Sequence, residues 1–213
     1  MSRLVVRDIA PQVRQLTRSS AVSIHVYLIE TAHGVVAFDA GIRGSGRWIL
    51  AAAGGTVARV VLSHGHVEHR GAASELGAPI YCHPDEVEDA EGEGGQQYID
   101  WDLIPATREG LPRLHASWDG GPVSIAATVS EGEQIGSFRV IHVPGHAPGP
   151  ARVPHPAFNW NTDLARASIH KLRDLGPSSV WTGHGNHLSG EVRGQLETAA
   201  TATWPEHGGL VGA

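Results

Sequence analysis

The fold is indicated by one stretch of the chain, residues 60–69, which reads VVLSHGHVEH. Its first half is a short, nearly continuous apolar run, as expected of a strand that is buried on both faces of a sheet. Histidine and glutamate side chains follow as soon as the apolar run ends. Because functional side chains are often carried by loops on a rigid scaffold, the stretch predicts a functional loop at a sheet edge.

The spacing within this loop suggests what it binds. His64 and His66 are two residues apart, so in an extended loop their imidazoles point to the same side and can hold one ion together. Glu68 and His69 lie further along the turn and are expected to point elsewhere, which favours two neighbouring ions over one. Imidazole and carboxylate ligands without thiolate suit zinc or a similar divalent ion.

Two further histidines also follow predicted strands. His146 ends the sequence Val-Pro-Gly-His after a predicted strand over residues 138–143, and His184 lies in Gly-His-Gly after a predicted strand over residues 179–182. A single spaced pair of histidines is often only a feature of the surface. Three histidine motifs in order, each at a strand end, favour a shared metal site instead.

On both sides of residues 60–69, strands, loops and helices alternate. The predicted strands beyond those already named cover residues 22–29, 34–39, 79–82 and 123–129, and the predicted helices cover residues 48–53, 84–90, 163–175 and 190–203. This alternation predicts an α/β fold. The long β content before the first helix argues against a purely parallel sheet.

The histidine motifs resemble the signature of the metallo-β-lactamase superfamily, His-x-His-x-Asp-His. Residues 38–41, Phe-Asp-Ala-Gly, resemble the family's strand that ends in Asp-x-Gly, and residues 144–149 and 183–185 resemble its later ligand loops. The resemblance implies one domain over residues 1–213 with an αββα sandwich. It also implies hydrolysis by a metal-bound hydroxide.

The same resemblance implies a set of metal ligands divided between two zinc sites. The first site would be formed by His64, His66 and His146, and the second by Glu68, His69 and His184. One or two zinc ions are therefore expected, with the first site favoured. Glu68 is also the candidate catalytic residue, as a general base.

The chain departs from the family pattern in two places. Glu68 stands where the family has Asp, and its extra methylene moves the carboxylate about 1.5 Å further out on an unchanged backbone. No Asp occurs between His146 and Asp163, where the family usually has a strand pair and a metal-bridging Asp. We therefore expect a missing strand pair after Gly149 and weak binding of a second ion. A sheet edge exposed by that loss invites self-association, so a homo-oligomer is a possible state.

Two functions remain open on this basis. The first is a metal-dependent hydrolase of a small ester, lactone, thioester or amide. The alternative is a catalytically weak or non-enzymatic member of the family that retains at most one metal.

Several other polar residues have less certain roles. Asp39 could hydrogen-bond a ligand histidine or simply close a turn. His83 precedes a proline after a strand, which favours a structural role, and Cys82 is expected to be buried and inert. Six histidines have no partner pattern and receive no role: His25, His33, His115, His142, His170 and His187.

Charge and composition limit the classes of binding partner that the sequence favours. The formal net charge is −6 and no basic block is present, which argues against nucleic acid. No apolar run approaches the ~20 residues of a membrane span, and the N-terminus lacks a signal-peptide core. Cys82 is the only cysteine, which is compatible with a reducing compartment. We expect a cytoplasmic protein whose partner is a small-molecule substrate.

Overall fold

The chain folds as two compact units. Unit 1 comprises residues 1–96 and 113–142, and unit 2 comprises residues 97–112 and 143–213. The structure, a computed structural model, describes residues 4–19, 23–103, 110–146 and 156–203. The prediction of a single domain over residues 1–213 is not tested by this division and stays a prediction.

Unit 1 is built on a seven-stranded mixed sheet whose strands lie in chain order. Its members are β1 (Leu4–Ala10), β2 (Val13–Ser19), β3 (Ser23–Thr31), β4 (Gly34–Phe38), β5 (Arg59–Val61), β6 (Ile80–Cys82) and β7 (Ile125–Thr128). Strands β1 to β4 pair antiparallel, whereas β4 to β7 pair parallel. The α/β class is confirmed, as is the expectation that the sheet is not purely parallel.

Short helices connect the parallel strands. They are α1 (Gly46–Ala52), α2 (Val67–Arg70), α3 (Val87–Glu91) and α4 (Leu111–Trp118), with 3-10 turns at Ala73–Leu76 and Pro84–Glu86. A two-stranded hairpin of β8 (Gln134–Ile135) and β9 (Phe138–Arg139) follows β7. The predicted strand over residues 138–143 is therefore too long. It ends early because the amide of His142 donates to the Glu131 side chain rather than to a strand.

The central strand β5 explains where the functional loop lies. Val60 is 0 % exposed and Val61 is 2 % exposed, and they pack into two different hydrophobic clusters. Successive side chains of a strand point to opposite faces, so β5 is buried on both faces, as its apolar sequence predicts. Because β4, β5 and β6 are parallel, the residues that follow them, Asp39, His64 and His83, lie at the same sheet edge.

Unit 2 is smaller and mainly helical. It contains α5 (Thr162–Asp174), α6 (Val192–Thr201), the strand pair β10 (Ser179–Val180) and β11 (Leu188–Ser189), and 3-10 turns at Trp101–Leu103 and Pro156–Phe158. Helix α5 begins where the sequence predicts it, because the Asn161 side chain accepts a hydrogen bond of 3.0 Å from the Leu164 amide. Ile169 of α5 and Leu196 of α6 are both buried in one apolar cluster.

The predicted loss of a strand pair after Gly149 lies in residues 147–155, outside the described residues. The self-association that would follow from it stays a prediction. Within the described ranges, none of the helices is both long and apolar enough to cross a membrane.

Candidate metal centre

The loop that follows β5 changes direction at His66. The backbone of His66 is extended, with φ −61° and ψ 149°, and α2 begins at the next residue. The amides of His69 and Arg70 both donate to the His66 carbonyl at 3.0 Å. The chain therefore turns back on itself within one helical turn, which brings the second half of the motif beside the first half.

The result is a buried cluster of four potential ligands from one short segment. The ring centroid of His64 lies 4.5 Å from that of His66 and 4.1 Å from that of His69. His64, His66 and Glu68 are 6 to 8 % exposed, and His69 is 1 % exposed. The expected proximity of His64 and His66 is confirmed. Glu68 and His69 belong to a different group of potential metal ligands from His64 and His66, in agreement with the sequence, although the first turn of α2 brings the His69 ring close to His64.

Asp39 and Ser63 orient two of these imidazoles. Oδ2 of Asp39 lies 2.8 Å from Nδ1 of His69, and it accepts a hydrogen bond of 2.9 Å from the Ser63 hydroxyl. That hydroxyl oxygen lies 2.9 Å from Nδ1 of His64. Because the Ser63 hydroxyl donates its proton to Asp39, its oxygen accepts from Nδ1 of His64. The Asp39 carboxylate likewise accepts from Nδ1 of His69. Both histidines therefore carry a ring proton on Nδ1. Nε2 of His64 and Nε2 of His69 are then the ring atoms with lone pairs for a metal ion.

Asp39 is itself held firmly in place. It follows β4 with φ +63°, a left-handed conformation that is uncommon for a residue other than glycine. Its Oδ1 accepts a hydrogen bond of 2.7 Å from the Ser63 amide, and its own amide donates to the Val61 carbonyl at 2.8 Å. Of the two roles that the sequence allows for Asp39, the structure supports the hydrogen bond to a ligand histidine.

Glu68 has a partner that the motif does not contain. Its Oε2 lies 3.2 Å from Nε2 of His115, which is 3 % exposed. Nδ1 of His115 lies 2.6 Å from the side-chain nitrogen of Gln96. With the Gln96 amide donating to Nδ1, the His115 ring has a proton on Nε2, which faces Glu68. The extra methylene of Glu68 thus allows its carboxylate to reach a partner on α4.

The charges around the cluster are arranged to keep Glu68 ionised. Burial alone would raise the pKa of Glu68, but the contact with His115 and the positive potential of His66 and His69 hold it well below its usual range. Burial alone would lower the pKa of His69, but the neighbouring Asp39 carboxylate outweighs burial and raises it.

Glu86 supports the loop from a second side. Its Oε2 accepts a hydrogen bond of 2.9 Å from the amide of Gly65, the residue between His64 and His66. Burial, assisted by the nearby carboxylates of Asp89 and Asp85, raises the pKa of Glu86 to about 7. Sequence reasoning does not find Glu86 or His115, because neither belongs to a motif and each reaches the loop only through the fold.

The Cδ2–Nε2 edge of the His66 ring lies against backbone. A Cβ atom built on Gly95 would lie 2.2 Å from Cδ2 of the His66 ring, and Gly95 has φ +72°, so only glycine fits here. The segment before Gly95 is fixed by the buried guanidinium of Arg70, whose Nη1 donates to the carbonyls of Asp89, Ala90 and Gly92. Packing as well as hydrogen bonding therefore holds the loop.

The remaining two predicted ligands lie in unit 2. His146 has φ +150°, and its Nδ1 lies 2.5 Å from the carbonyl of Phe158, so its Nδ1 carries the proton. The Pro144 carbonyl before it accepts a hydrogen bond of 2.7 Å from Ser168 of α5. The carbonyl of His184, between β10 and β11, accepts a hydrogen bond of 2.6 Å from the Thr182 hydroxyl. Coordination of a metal by His146 and His184 stays a prediction.

The donor set of unit 1 fits a metal ion. Its imidazoles and its carboxylate are borderline ligands of the kind that hold zinc and neighbouring divalent ions in proteins. Burying them together without a cation would carry a cost in free energy. Their partners on Asp39, Ser63 and His115 are of the type that accompanies metal-binding histidines and carboxylates.

A buried imidazole and carboxylate cluster at the carboxyl edge of parallel strands is typical of a metal-binding α/β protein. The model of one such family, the metallo-beta-lactamase superfamily, matches residues 20–157. The chain belongs to this superfamily.

Individual proteins are also similar to this chain. The uncharacterized protein YobT of Bacillus subtilis (strain 168) is 28 % identical over 203 residues, which cover 78 % of this chain and 84 % of YobT. The crystal structure of the metallo-beta-lactamase family protein TTHA1429 from Thermus thermophilus is similar with a TM-score of 0.62 at 22 % identity, over 89 % of this chain and 78 % of that one. The protein TTHA1623, solved in a di-iron-bound form, is similar with a TM-score of 0.60 at 22 % identity. The match covers 85 % of this chain and 96 % of TTHA1623. At this identity the structures support the fold alone.

Proposed function

We propose that the protein is a metal-dependent hydrolase of a small ester, lactone, thioester or amide. The observation that carries the proposal is the buried cluster of His64, His66, Glu68 and His69, with its imidazoles oriented by Asp39 and Ser63. Membership of the metallo-β-lactamase superfamily supports the same chemistry. His146 and His184 complete the two ligand sets in this proposal, on the strength of their motifs and the family resemblance.

A bound zinc-type ion supplies a nucleophilic water at neutral pH, because it lowers the pKa of that water to about 7. The chain's own residues have three tasks around it. Asp39 and Ser63 keep the Nδ1 protons of His69 and His64 in place, so that both Nε2 atoms would be available to hold the ion. The Nε2 proton of His115 keeps the Glu68 carboxylate ionised and in position. Glu68 is the proposed acceptor of a proton during hydrolysis.

The alternative is a family member that binds metal but turns over substrate poorly. It is favoured by the contact between Glu68 and His115, because that partner competes for the carboxylate that the proposal uses. The proposed weak binding of a second metal ion is part of the same alternative. Without an Asp between His146 and Asp163, no shared anion separates two cations only about 3.5–4 Å apart.

The two functions are distinguished by metal content and turnover measured on the same samples. The chain is stripped with a chelator, reloaded with zinc or with ferrous iron, and assayed with a panel of lactones, carboxylic esters, thioesters and amides. The double variant H64A/H66A and the surface variant H33A serve as the active-site and matched histidine controls. Metal-dependent turnover that disappears only in H64A/H66A supports the hydrolase. Stoichiometric metal binding without turnover of any substrate class supports the alternative.

A further inference from the structure

A second group of potential ligands lies in unit 1, apart from the loop after β5. It consists of His83, Asp85 and His142, called the peripheral cluster below. His83 follows β6, Asp85 lies in the 3-10 turn Pro84–Glu86, and His142 follows the hairpin of β8 and β9. Two separate parts of the fold, the turn after β6 and the segment after the hairpin, therefore meet at this point of the surface.

The distances within the peripheral cluster match those of a coordination sphere. Oδ2 of Asp85 lies 3.4 Å from Nδ1 of His83 and 3.5 Å from Nε2 of His142. One ligand atom from each residue lies within 4.8 Å of the other two. Tetrahedral ligands at the usual zinc distances of about 2.0–2.1 Å are about 3.3–3.4 Å apart, so little movement would be needed.

The backbone holds both histidines in place. The amide of Asp85 donates to Nδ1 of His83 at 3.2 Å, which caps the turn, and the amide of His142 donates to Oε2 of Glu131 at 2.6 Å. The two imidazole rings are stacked, with centroids 3.6 Å apart and planes 12° from parallel. The three side chains therefore already lie close together without an ion.

Binding requires two local changes. A metal at Nδ1 of His83 replaces the hydrogen bond from the Asp85 amide, and the rings must tilt out of their stack because each lone pair lies in its ring plane. The side chains of His83 and His142 are 19 % and 28 % exposed, so both rings can turn towards solvent. The carboxylate of Asp85 is 68 % exposed and can follow.

We propose that His83, Asp85 and His142 form a peripheral site for a divalent transition-metal ion, with water completing its coordination. Two imidazoles and one carboxylate with open positions are a ligand set used for zinc and for ferrous iron. The site does not rest on the proposed hydrolase function, because it shares no ligand with the buried cluster. Its affinity is expected to be lower than that of the buried cluster, since its ligands are more exposed and must rearrange.

The test is a zinc titration of the full chain after chelator treatment. Binding is measured by isothermal titration calorimetry, and the bound zinc is counted by elemental analysis. The variants are H83A/H142A, D85N, H64A/H66A and the matched surface control H33A. We expect H83A/H142A to bind one equivalent fewer than the wild type and H33A to bind the same number. H64A/H66A should retain the peripheral equivalent. D85N changes one exposed side chain and should weaken the same binding event without altering the circular dichroism spectrum.

The opposite results overturn the proposal. If H83A/H142A and D85N bind zinc with the stoichiometry and affinity of the wild type, the peripheral cluster holds no metal. If zinc binding to the wild type is fully abolished in H64A/H66A while its circular dichroism spectrum is unchanged, all bound zinc belongs to the buried cluster. Because hydrolysis is not the readout, failure of the hydrolase proposal leaves this test intact.

Discussion

The two histidine groups of unit 1 contain similar side chains but are supported differently. In the buried cluster, His64 and His69 are oriented by the side chains of Ser63 and Asp39, and exposure is below one tenth. In the peripheral cluster, the supports of His83 and His142 are mainly backbone amides and the ring of the neighbouring histidine. Strong metal sites in proteins usually have side-chain partners of the first kind.

The comparison shows that the distances between ligand atoms do not by themselves predict which metal site binds more tightly. Both groups place ligand atoms close together, but in the buried cluster the hydrogen bonds fix which ring nitrogen carries the proton. In the peripheral cluster the rings have room to turn. We therefore expect a tight site and a weak site in the same unit, and the following predictions test that ranking.

The largest effect is expected for D39N. Oδ2 of Asp39 accepts from both Ser63 and His69, so an amide nitrogen at this position would face two donors. Metal affinity of the buried cluster should fall about 10–100-fold, as for other partners of ligand histidines. The measurement is competition for zinc with a chromophoric chelator, with the exposed Asp8→Asn as control. Unchanged affinity in D39N would show that the network does not orient the ligands.

A smaller effect is expected for H115A. Removing the imidazole takes away the proton that faces the Glu68 carboxylate, and it also deprives the Gln96 amide of its acceptor. We expect kcat to fall about tenfold, the lower end of the effect of such partners, with little change in KM. H115Q, which can present an amide proton to Glu68, should recover part of the loss. A change in KM alone, or equal activity in H115A and H115Q, would contradict this role.

Glu86 gives a pH-dependent prediction for the metal-free protein. Its pKa is raised from 4.5 to about 7 by burial, so the contribution of Glu86 to stability is complete below pH 4.5 and is lost as the pH rises through about 7. E86Q keeps an acceptor for the Gly65 amide but cannot ionise. At pH 8 it should be more stable than the wild type by about 3 kcal/mol, and at about pH 4 the two should be equal.

The measurement is urea denaturation across this pH range in the presence of a chelator. E88Q, at an exposed position of α3, is the matched control and should follow the wild type at every pH. If E86Q and the wild type have parallel pH profiles, Glu86 is not the group that titrates.

The smallest effect is expected when the peripheral cluster is changed and the buried cluster is assayed. H83A/H142A should leave the hydrolytic kcat/KM within about twofold of the wild type, because the two clusters share no ligand and surface substitutions usually change stability little. The assay is turnover of the best substrate from the panel at saturating zinc. A large loss of turnover in H83A/H142A would show that the two clusters are coupled.

Much of the fold could be predicted from the sequence, because it depends on local patterns. The apolar run of β5, the hairpin of β3 and β4, and the Asn161 cap of α5 each reflect a short stretch of chain. Helix α2 could not be predicted, because it has only one turn. A four-residue helix has no periodicity that a sequence can display.

The partners of the candidate site were only partly predictable. Asp39 could be proposed because it follows a strand in a recognisable motif, whereas His115 and Glu86 come from other segments and have no spacing relation to Glu68 or Gly65. The same holds for the peripheral cluster, where His142 lies 57 residues after Asp85 in the chain. Contacts between such distant residues depend on the order of the parallel strands, which short-range sequence patterns do not encode.

The network around Asp39 also bears on the order in which the protein assembles. The hydrogen bond between Asp39 and His69 joins residues 30 positions apart, and the bonds to Ser63 join residues 24 apart. Closing loops of this size costs little chain entropy, and contacts of low sequence separation form early in folding. The imidazole cluster can therefore take shape as soon as β4 and β5 pair, while later segments are still leaving the ribosome. A nascent chain that extends just beyond residue 70 already contains all four residues of the buried cluster, together with Asp39 and Ser63, which orient two of them.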